Sequence, residues 1–255
     1  AETGISVVST LKELLARDDI EGVILTVPNE QHYPVALQVA KAGKHVYTEK
    51  PIAHNLEDGL AIEKLQKEFG VTVTVGHSAR LLGGVQEIKK RILNGELGKV
   101  GFFEANFSNE RALELTPDTW RWYRDRAPGG PLSQLAIHMF DVVNYLGETI
   151  VEASSIASKL SPVGAEVDDQ SMTLLKFSDG AIAYIGTCWT SPGIFALRVF
   201  GSKALIHYEI DFGTWDTPEE IKNSSTFYIQ RGKDGFGKRE VLSEPETNMF
   251  TAELD

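Results

Sequence analysis

The feature that most constrains the fold is a regular alternation of short apolar runs with helical patterns near the start of the chain. Apolar runs begin at Gly22, His45 and Val71, and stretches with apolar residues at helical spacing lie between them, at 34–41 and 56–69. Strands joined through single helices need right-handed crossovers, which make the strands parallel. We therefore predict a parallel sheet whose strand ends open into a crevice where a ligand can bind.

The ends of these helices are also visible in the sequence. Ser9 and Thr10, with Glu13 three residues after Thr10, predict a capped helix start. Gly43 and Gly70 predict helix ends. In the helix at 56–69 we expect four apolar side chains to face the core, namely Leu60, Ile62, Leu65 and Phe69.

The second part of the chain has the character of an antiparallel sheet. Helical patterns cover 85–93 and 132–146, and turns such as 178–180 separate strand-like runs. The runs lie at 100–107, 151–156, 171–177, 181–189, 196–200, 204–208 and 226–230. They predict an open, mainly antiparallel sheet backed by one or two helices, with a short helix at 250–255. We place the boundary near Gly101, which divides an α/β chain into domains 1–100 and 101–255.

Composition disfavours several classes of function. The chain has 255 residues, a hydrophobic fraction of 42% and a formal net charge of −11. This fraction suits a globular core, and the charge disfavours nucleic-acid binding, which needs a basic face. No apolar run approaches the roughly 18 residues of a membrane span, so we expect no membrane partner. The one cysteine, Cys188, lies in an apolar run and fits a buried, inert thiol in a reducing compartment such as the cytoplasm.

Glu49, Lys50 and Pro51 follow the second apolar run and place a carboxylate and an ammonium at a strand end. A lysine there can hold a phosphate, polarise a hydroxyl or act as an acid with a lowered pKa. A solvated charge pair on a loop is the alternative. We also hypothesise that the Lys50–Pro51 bond is cis, a form that X-Pro bonds adopt more readily than others.

A second group of polar residues follows the first apolar run. Thr26, Pro28, Asn29 and His32 lie just before a helix, where backbone N–H groups and short polar side chains meet ligands. A proline turn with an asparagine cap explains the same residues without a ligand.

The third group lies on the helix at 132–146. Gln134 and His138 are four residues apart and Asp141 is three further on, so helical geometry puts them on one face. An imidazole there can take a proton from a hydroxyl as hydride leaves the same carbon, and Asp141 could orient it. A histidine satisfied within a helix interface is the alternative. We predict no metal site, because the His138–Asp141 spacing lacks a clear third ligand.

Two weaker elements complete the set. His77 and Arg80 follow the third apolar run and can line the same crevice. Trp120 and Arg121 combine an aromatic ring with a cation and can pack on or clamp a ligand. The alternative for both elements is a purely structural role, which is the more frequent one for such residues.

Together, in this order and spacing, these segments resemble the glucose–fructose oxidoreductase, inositol dehydrogenase and rhizopine-catabolism family of nicotinamide-dependent enzymes. The resemblance runs across nearly all of the chain, and its sharpest match is Glu49-Lys50-Pro51. It implies a partial Rossmann-type parallel sheet followed by an α/β domain with an open, mainly antiparallel sheet. In the family that second sheet commonly makes dimer or tetramer contacts.

The resemblance also implies roles for residues. Lys50 would touch both nicotinamide and substrate, and His138 would transfer the proton, so both must face the same substrate. The residues expected to contact NAD or NADP are Thr26, Pro28, Asn29, His32, Glu49, Lys50, Pro51, Trp120 and Arg121. The residues expected to contact the substrate are His77, Arg80, Gln134 and Asp141.

Two departures from the family pattern matter. Many members carry an aspartate where this chain has Gln134 and a glycine where it has Pro131. A carboxylate would raise the basicity of His138, whereas an amide can only form hydrogen bonds. In addition, no glycine fingerprint precedes Glu49, and the chain opens at Ala1 without a methionine. We therefore expect an incomplete polypeptide that lacks the first βαβ unit and its pyrophosphate cradle.

The sequence thus predicts an NAD(P)-dependent oxidoreductase of a sugar, a polyol or a related hydroxylated compound, assembled as a homodimer or homotetramer through the second sheet. Two alternatives share the scaffold. One is a non-catalytic regulator that binds a sugar or dinucleotide, and the other is an NAD-dependent glycoside hydrolase. Absorbance of the reduced nicotinamide distinguishes net dehydrogenation from both alternatives.

Overall fold

The computed structural model describes residues 5–211, 217–232 and 237–253. By its internal contacts the chain divides into two compact units, one ending at Gly76 and the other beginning at His77. This division precedes Gly101 because the helix that starts at Gly83 places Val85 and Ile88 in the core of the second unit.

The first unit is built on a three-stranded parallel sheet of order β1-β2-β3. Its strands are β1 Gly22–Leu25, β2 His45–Glu49 and β3 Val73–Gly76, and its helices are α1 Leu11–Leu15, α2 His32–Lys41 and α3 Leu56–Phe69. Val23 pairs with Val46, and Tyr47 pairs with Thr74. The predicted parallel sheet with intervening helices is confirmed.

The predicted helix caps of this unit are present. The Thr10 hydroxyl accepts a hydrogen bond from the Glu13 backbone N–H at 3.2 Å, and the Glu13 carboxylate accepts one from the Ser9 N–H at 3.0 Å. This reciprocal arrangement satisfies N–H groups that have no partner inside the helix. Gly70 ends α3 in the left-handed region at a φ of 69°, and Gly43 follows α2 with a φ of 72°.

Burial on α3 differs from expectation at one position. Ile62 and Leu65 are buried, and Phe69 packs against the same core. Leu60, however, is 47% exposed, so its predicted inward orientation is wrong. Two residues apart on a helix point to nearly opposite sides, and the buried Ile62 therefore turns Leu60 toward solvent.

The second unit is built on an eight-stranded sheet of order β11-β10-β9-β8-β4-β7-β6-β5. Its strands are β4 Val100–Ser108, β5 Ile150–Ser158, β6 Gln170–Phe177, β7 Ile182–Cys188, β8 Ile194–Gly201, β9 Ala204–Ile210, β10 Thr226–Arg231 and β11 Arg239–Val241. Its helices are α4 Gly83–Leu93, α5 Ile137–Leu146, α6 Pro218–Ser224 and α7 Met249–Ala252. The sequence did not predict β11 or α6, and positions 254 and 255 of the predicted terminal helix lie outside the described residues.

Only one pairing in this sheet is parallel among the described strands, that of β4 with β7. The face that includes Phe103, Phe107 and Ile185 is buried in one apolar cluster with residues of α4 and α5. The structure is therefore an α/β fold with a parallel sheet followed by a mostly antiparallel one, as predicted.

The opposite face of the sheet is open. Cross-strand pairing places Glu104, Tyr184 and Leu174 in one row across β4, β7 and β6. Leu174 is 58% exposed. Cys188 is also on this face and is only half-buried, with its Sγ 3.3 Å from the Thr190 hydroxyl, so its expected burial is wrong. Strand alternation explains this, because its neighbour Thr187 takes the core-facing position.

Within the described ranges, no helix combines the length and apolarity needed to cross a membrane.

Candidate active site

The loop after β1 carries buried polar groups that lack protein partners. Asn29 opens a short 3₁₀ turn, Asn29–Gln31, and is 4% exposed. Its side-chain Nδ2 has no hydrogen-bond partner among the described residues, and neither does Oε2 of the adjacent Glu30. A buried donor and a buried acceptor without partners are costly, and groups of this kind mark places where a ligand completes the hydrogen bonds. Thr26 is exposed and Pro28 half-buried in the same loop.

His32 is completely buried and lies between two loops. One ring nitrogen, Nδ1, is 2.9 Å from the carbonyl oxygen of Pro51, and the other, Nε2, is 3.0 Å from that of Val27. The ring therefore links the loop after β1 to the loop after β2. The ring is fully buried, with each nitrogen close to a loop carbonyl oxygen.

The loop after β2 carries the second predicted group. Thr48 is buried at the end of the strand, and Glu49 and Lys50 are half-buried. The Lys50 backbone N–H donates to Oε2 of Glu49 at 3.3 Å, which turns that carboxylate back along the chain. The Lys50–Pro51 peptide bond is cis, as hypothesised from the sequence. The structure thus brings the groups after β1 and β2 to the same edge of the parallel sheet.

In the second unit, the two residues predicted after β3 meet the helix residue Asp141. Arg80 binds the Asp141 carboxylate through both Nε and Nη2, the Nε contact at 2.8 Å. This hydrogen bonding raises the pKa of Arg80. Nδ1 of His77 is 3.8 Å from Oδ1 of Asp141. The expectation that Asp141 orients His138 is therefore corrected, because its carboxylate is directed to Arg80 and His77.

His138 lies on a helix whose first turn is not an α-helix. Residues Leu132–Ala136 form a π-helical turn, and α5 begins at Ile137. Hydrogen bonds there span five residues, so the predicted α-helical spacing of Gln134 and His138 does not hold, although both side chains are buried. The ring of His138 lies 5.4 Å from that of Phe107 on β4.

Trp120 and Arg121 form a 3₁₀ turn beside this helix. The Arg121 guanidinium stacks on the Trp120 ring at 4.2 Å, and its Nε donates to the side-chain oxygen of Gln134 at 3.4 Å. Burial and the positive charge of Arg111 lower the pKa of Arg121. The predicted aromatic–cation element and the predicted helix are thus joined through Gln134.

Sequence reasoning missed several of these features. The counter-ion of Asp141 and the π-helical turn have no local sequence signal, because one is a contact over 61 positions and the other depends on tertiary packing. Among the described residues, no group of three histidine, cysteine, aspartate or glutamate side chains is arranged to hold a metal ion.

Comparisons with known proteins agree with this architecture. Residues 1–77 match the model for an oxidoreductase family with an NAD-binding Rossmann fold, and residues 85–207 match the model for the GFO/IDH/MocA C-terminal domain. The two models thus match the first unit and a large part of the second. An NAD-binding fold of the Rossmann type joined to this C-terminal domain defines a class of oxidoreductases.

Solved and curated relatives are similar along most of the chain. A crystal structure from Desulfitobacterium hafniense, described as that of a candidate NADPH-dependent oxidoreductase, is 38% identical, with a TM-score of 0.90 over 96% of this chain and 70% of its own. The 4-carboxy-2-hydroxymuconate-6-semialdehyde dehydrogenase of Sphingobium sp. is 30% identical over 80% of this chain and 61% of its own. The levoglucosan dehydrogenase of Pseudarthrobacter phenanthrenivorans is 27% identical over 69% of this chain and 51% of its own.

The chain belongs to the GFO/IDH/MocA oxidoreductase family. It spans 61% and 51% of the length of the two curated relatives named above.

Proposed function

We propose that the protein is an NAD(P)-dependent oxidoreductase that transfers hydride between a nicotinamide cofactor and a hydroxyl-bearing carbon of a sugar or polyol. The observation that carries this proposal is the pair of buried polar atoms after β1, Asn29 Nδ2 and Glu30 Oε2, which have no hydrogen-bond partner among the described residues and belong to a sheet that matches an NAD-binding family model. Ligands of open α/β sheets bind at this edge.

The residues at that edge fit a nicotinamide cofactor. The Asn29 amide and the Glu30 carboxylate offer a buried donor and a buried acceptor that have no partner in the described part of the chain, as a ribose or a carboxamide requires. Thr26, Pro28, Glu49 and Pro51 would form the surrounding surface, and Trp120 and Arg121 would also contact the cofactor. When bound, the cofactor supplies the hydride acceptor or donor.

Lys50 and His138 would handle the oxygen and its proton. The ammonium of Lys50 would donate a hydrogen bond to the substrate oxygen and stabilise negative charge on it. The imidazole of His138 would take the hydroxyl proton during oxidation and return it during reduction. His77, Arg80 and Gln134 would contact the remaining substrate groups, while Asp141 holds Arg80 in place.

A sugar is the substrate class best supported by the comparisons, because levoglucosan dehydrogenase is among the relatives. The test is a full-length protein assay with NAD and NADP against a panel of sugars and polyols, following reduced-nicotinamide absorbance. A net change with one panel member supports the proposal. Tight binding without turnover would instead indicate a regulator, and the specific argument for a regulator is the neutral Gln134 near His138. Sugar release without a net change in reduced-nicotinamide absorbance would indicate a glycoside hydrolase.

We further propose that the open sheet face joins copies of this chain in a homodimer or homotetramer. Apolar side chains stand out from this face on adjacent strands, with exposed fractions of 53% for Met172, 58% for Leu174 and 50% for Ile182. Contiguous exposed apolar groups on a flat sheet favour association.

A further inference from the structure

Arg121 is half-buried and forms no ion pair within the described part of the chain. Its guanidinium stacks on Trp120 and reaches only the neutral Gln134 oxygen, through Nε. Its terminal N–H groups have no acceptor among the described residues. This is unusual for a partly desolvated cation, because charges removed from water are normally paired.

A second arginine increases the positive charge at this place. Arg111 begins the 3₁₀ turn that follows β4, and its charge lowers the pKa of Arg121. Burial and this repulsion both lower the pKa of Arg121. Arg111 itself forms no ion pair with the described residues, although Glu110 and Glu114 lie in the same stretch of chain.

The neighbouring arginines behave differently. Arg124 donates from Nε and Nη2 to the backbone carbonyl oxygen of Glu166 at 3.1 and 3.0 Å, and Arg126 stacks on Tyr123 in an exposed position. Only Arg121 reaches the turn that precedes His138. Arg121 therefore differs from Arg124 and Arg126 in being partly removed from water, beside that turn.

We propose that Arg121, assisted by Arg111, forms a subsite for an anionic group, a carboxylate or a phosphate, of the molecule that binds beside His138. The planar guanidinium, fixed on the Trp120 ring, presents its terminal N–H groups for bidentate pairing with two oxygens of such a group. Gln134 holds the guanidinium without neutralising it. The inference rests on the proposed function for its placement. If the substrate supplies the anionic group, the subsite narrows the substrate class from any sugar to a sugar that carries a negative charge.

The subsite can be tested without turnover. The probe is inorganic phosphate, titrated into the full-length protein at constant ionic strength with thermal unfolding as the readout. Gln134→Glu is the central variant, because it changes an amide into a carboxylate of the same shape and supplies Arg121 with an internal counter-ion. Arg121→Met removes the cation, and Arg124→Met is the matched control on the same segment.

We expect phosphate to stabilise the native protein and the Arg124→Met variant equally. Gln134→Glu and Arg121→Met should each weaken the apparent phosphate affinity by about tenfold or more, since one neutralises and the other removes the charge. Unchanged affinity in both variants, or no stabilisation of the native protein by phosphate, would overturn the subsite. Neither of these two results bears on the nicotinamide assay of the native protein. Failure of the subsite is therefore distinguishable from failure of the proposed function.

Two arms identify the source of the anionic group. If a cofactor phosphate occupies the subsite, saturating NADH should abolish the phosphate effect. If the substrate supplies the group, the phosphate effect should persist with NADH present, and D-glucuronate should compete with phosphate better than D-glucose does. The same competition experiments are repeated with Gln134→Glu. If NADH and D-glucuronate compete with phosphate equally well in this variant and in the native protein, neither the cofactor nor the substrate supplies its anionic group to Arg121.

Discussion

At the scale of single residues, the most strongly fixed group of the candidate site is the Asp141 carboxylate. Its side chain is 7% exposed and its partner Arg80 is 38% exposed. A carboxylate at this depth depends on its counter-ion, because an unpaired buried charge loses hydration without compensation. The pair joins the segment after β3 to α5, and so fixes the helix that bears His138.

Replacing Arg80 should therefore destabilise the protein more than replacing one residue of a solvent-exposed ion pair. We expect Arg80→Met to lower the free energy of unfolding by about 2 kcal/mol, a value below that for a fully buried pair because Arg80 is partly solvated. Urea unfolding measures this. Lys176→Met, which breaks an exposed ion pair with Glu152, is the control and should change stability by less than about 0.5 kcal/mol. Equal effects of the two substitutions would show that the Asp141 contact adds no stability.

At the scale of secondary-structure elements, the start of α4 is held close to β9. Gly84 lies against the fully buried Tyr208, whose hydroxyl donates to the Glu244 carboxylate, and the Gly84 N–H donates to the same oxygen at 3.3 Å. Burial, together with the nearby Glu244 charge, raises the pKa of Tyr208 well above its ordinary value. A carboxylate here also stabilises the positive end of the α4 dipole.

Gly84→Ala tests how closely these elements approach. A Cβ at this position would lie 2.3 Å from the Tyr208 ring, so we expect a loss of about 2–3 kcal/mol in urea unfolding from forced repacking. Gly101→Ala is the control, because nothing lies within 4 Å of its Cβ position. A Gly84→Ala variant as stable as Gly101→Ala would show that α4 and β9 can move apart without cost.

A second element-scale prediction concerns pH and the open sheet face. Nδ1 of His207 accepts a hydrogen bond from Nε of Arg198 at 3.0 Å, and its ring stacks on Tyr228. Burial, and after it the Arg198 charge, lower the pKa of His207. The other charged groups that act on it are Glu209, Arg239 and Glu104. Unfolding therefore takes up a proton once the pH falls below the ordinary histidine value of about 6.5.

Stability should accordingly fall as the pH is lowered from about 7.5 through 6.5 toward 5, and His207→Gln should flatten this part of the profile. Urea midpoints measured across the range provide the comparison. Gln66→Asn, which changes an exposed side chain of α3 that carries no titratable group, is the control and should keep the slope of the native protein. Parallel profiles for the native protein and His207→Gln would contradict the assignment.

At the scale of the whole molecule, the open sheet face gives the oligomer proposal a direct test. Leu174→Lys places a charge at an exposed position in the middle of β6, and burying that charge between two sheets is unfavourable. We expect a shift toward the monomer in sedimentation velocity. Leu93→Lys, an equally drastic change at an exposed position on α4, should leave the assembly unchanged. If both variants sediment like the native protein, the interface lies elsewhere.

Much of the fold was predictable because its signals are local. The apolar runs and glycine stops near the start located β1 to β3 and α2 and α3 within a few residues, and alternation located most strands of the second sheet. The exposure of Leu60, the pairing of Arg80 with Asp141 and the π-helical turn were not predictable, since each depends on contacts made in three dimensions. Sequence spacing alone could place His138 on a helix but could not show that the Asp141 carboxylate is directed to Arg80 and His77.

The predicted roles of Lys50 and His138 are the centre of the functional account. The most direct measurement is the single-turnover rate of nicotinamide reduction in full-length Lys50→Ala and His138→Ala, with the exposed-residue variants Lys41→Ala and His45→Ala as controls. We expect the first two rates to fall by about two or more orders of magnitude while the controls stay near the native rate. Near-native rates in both Lys50→Ala and His138→Ala would contradict the proposed roles of these two residues.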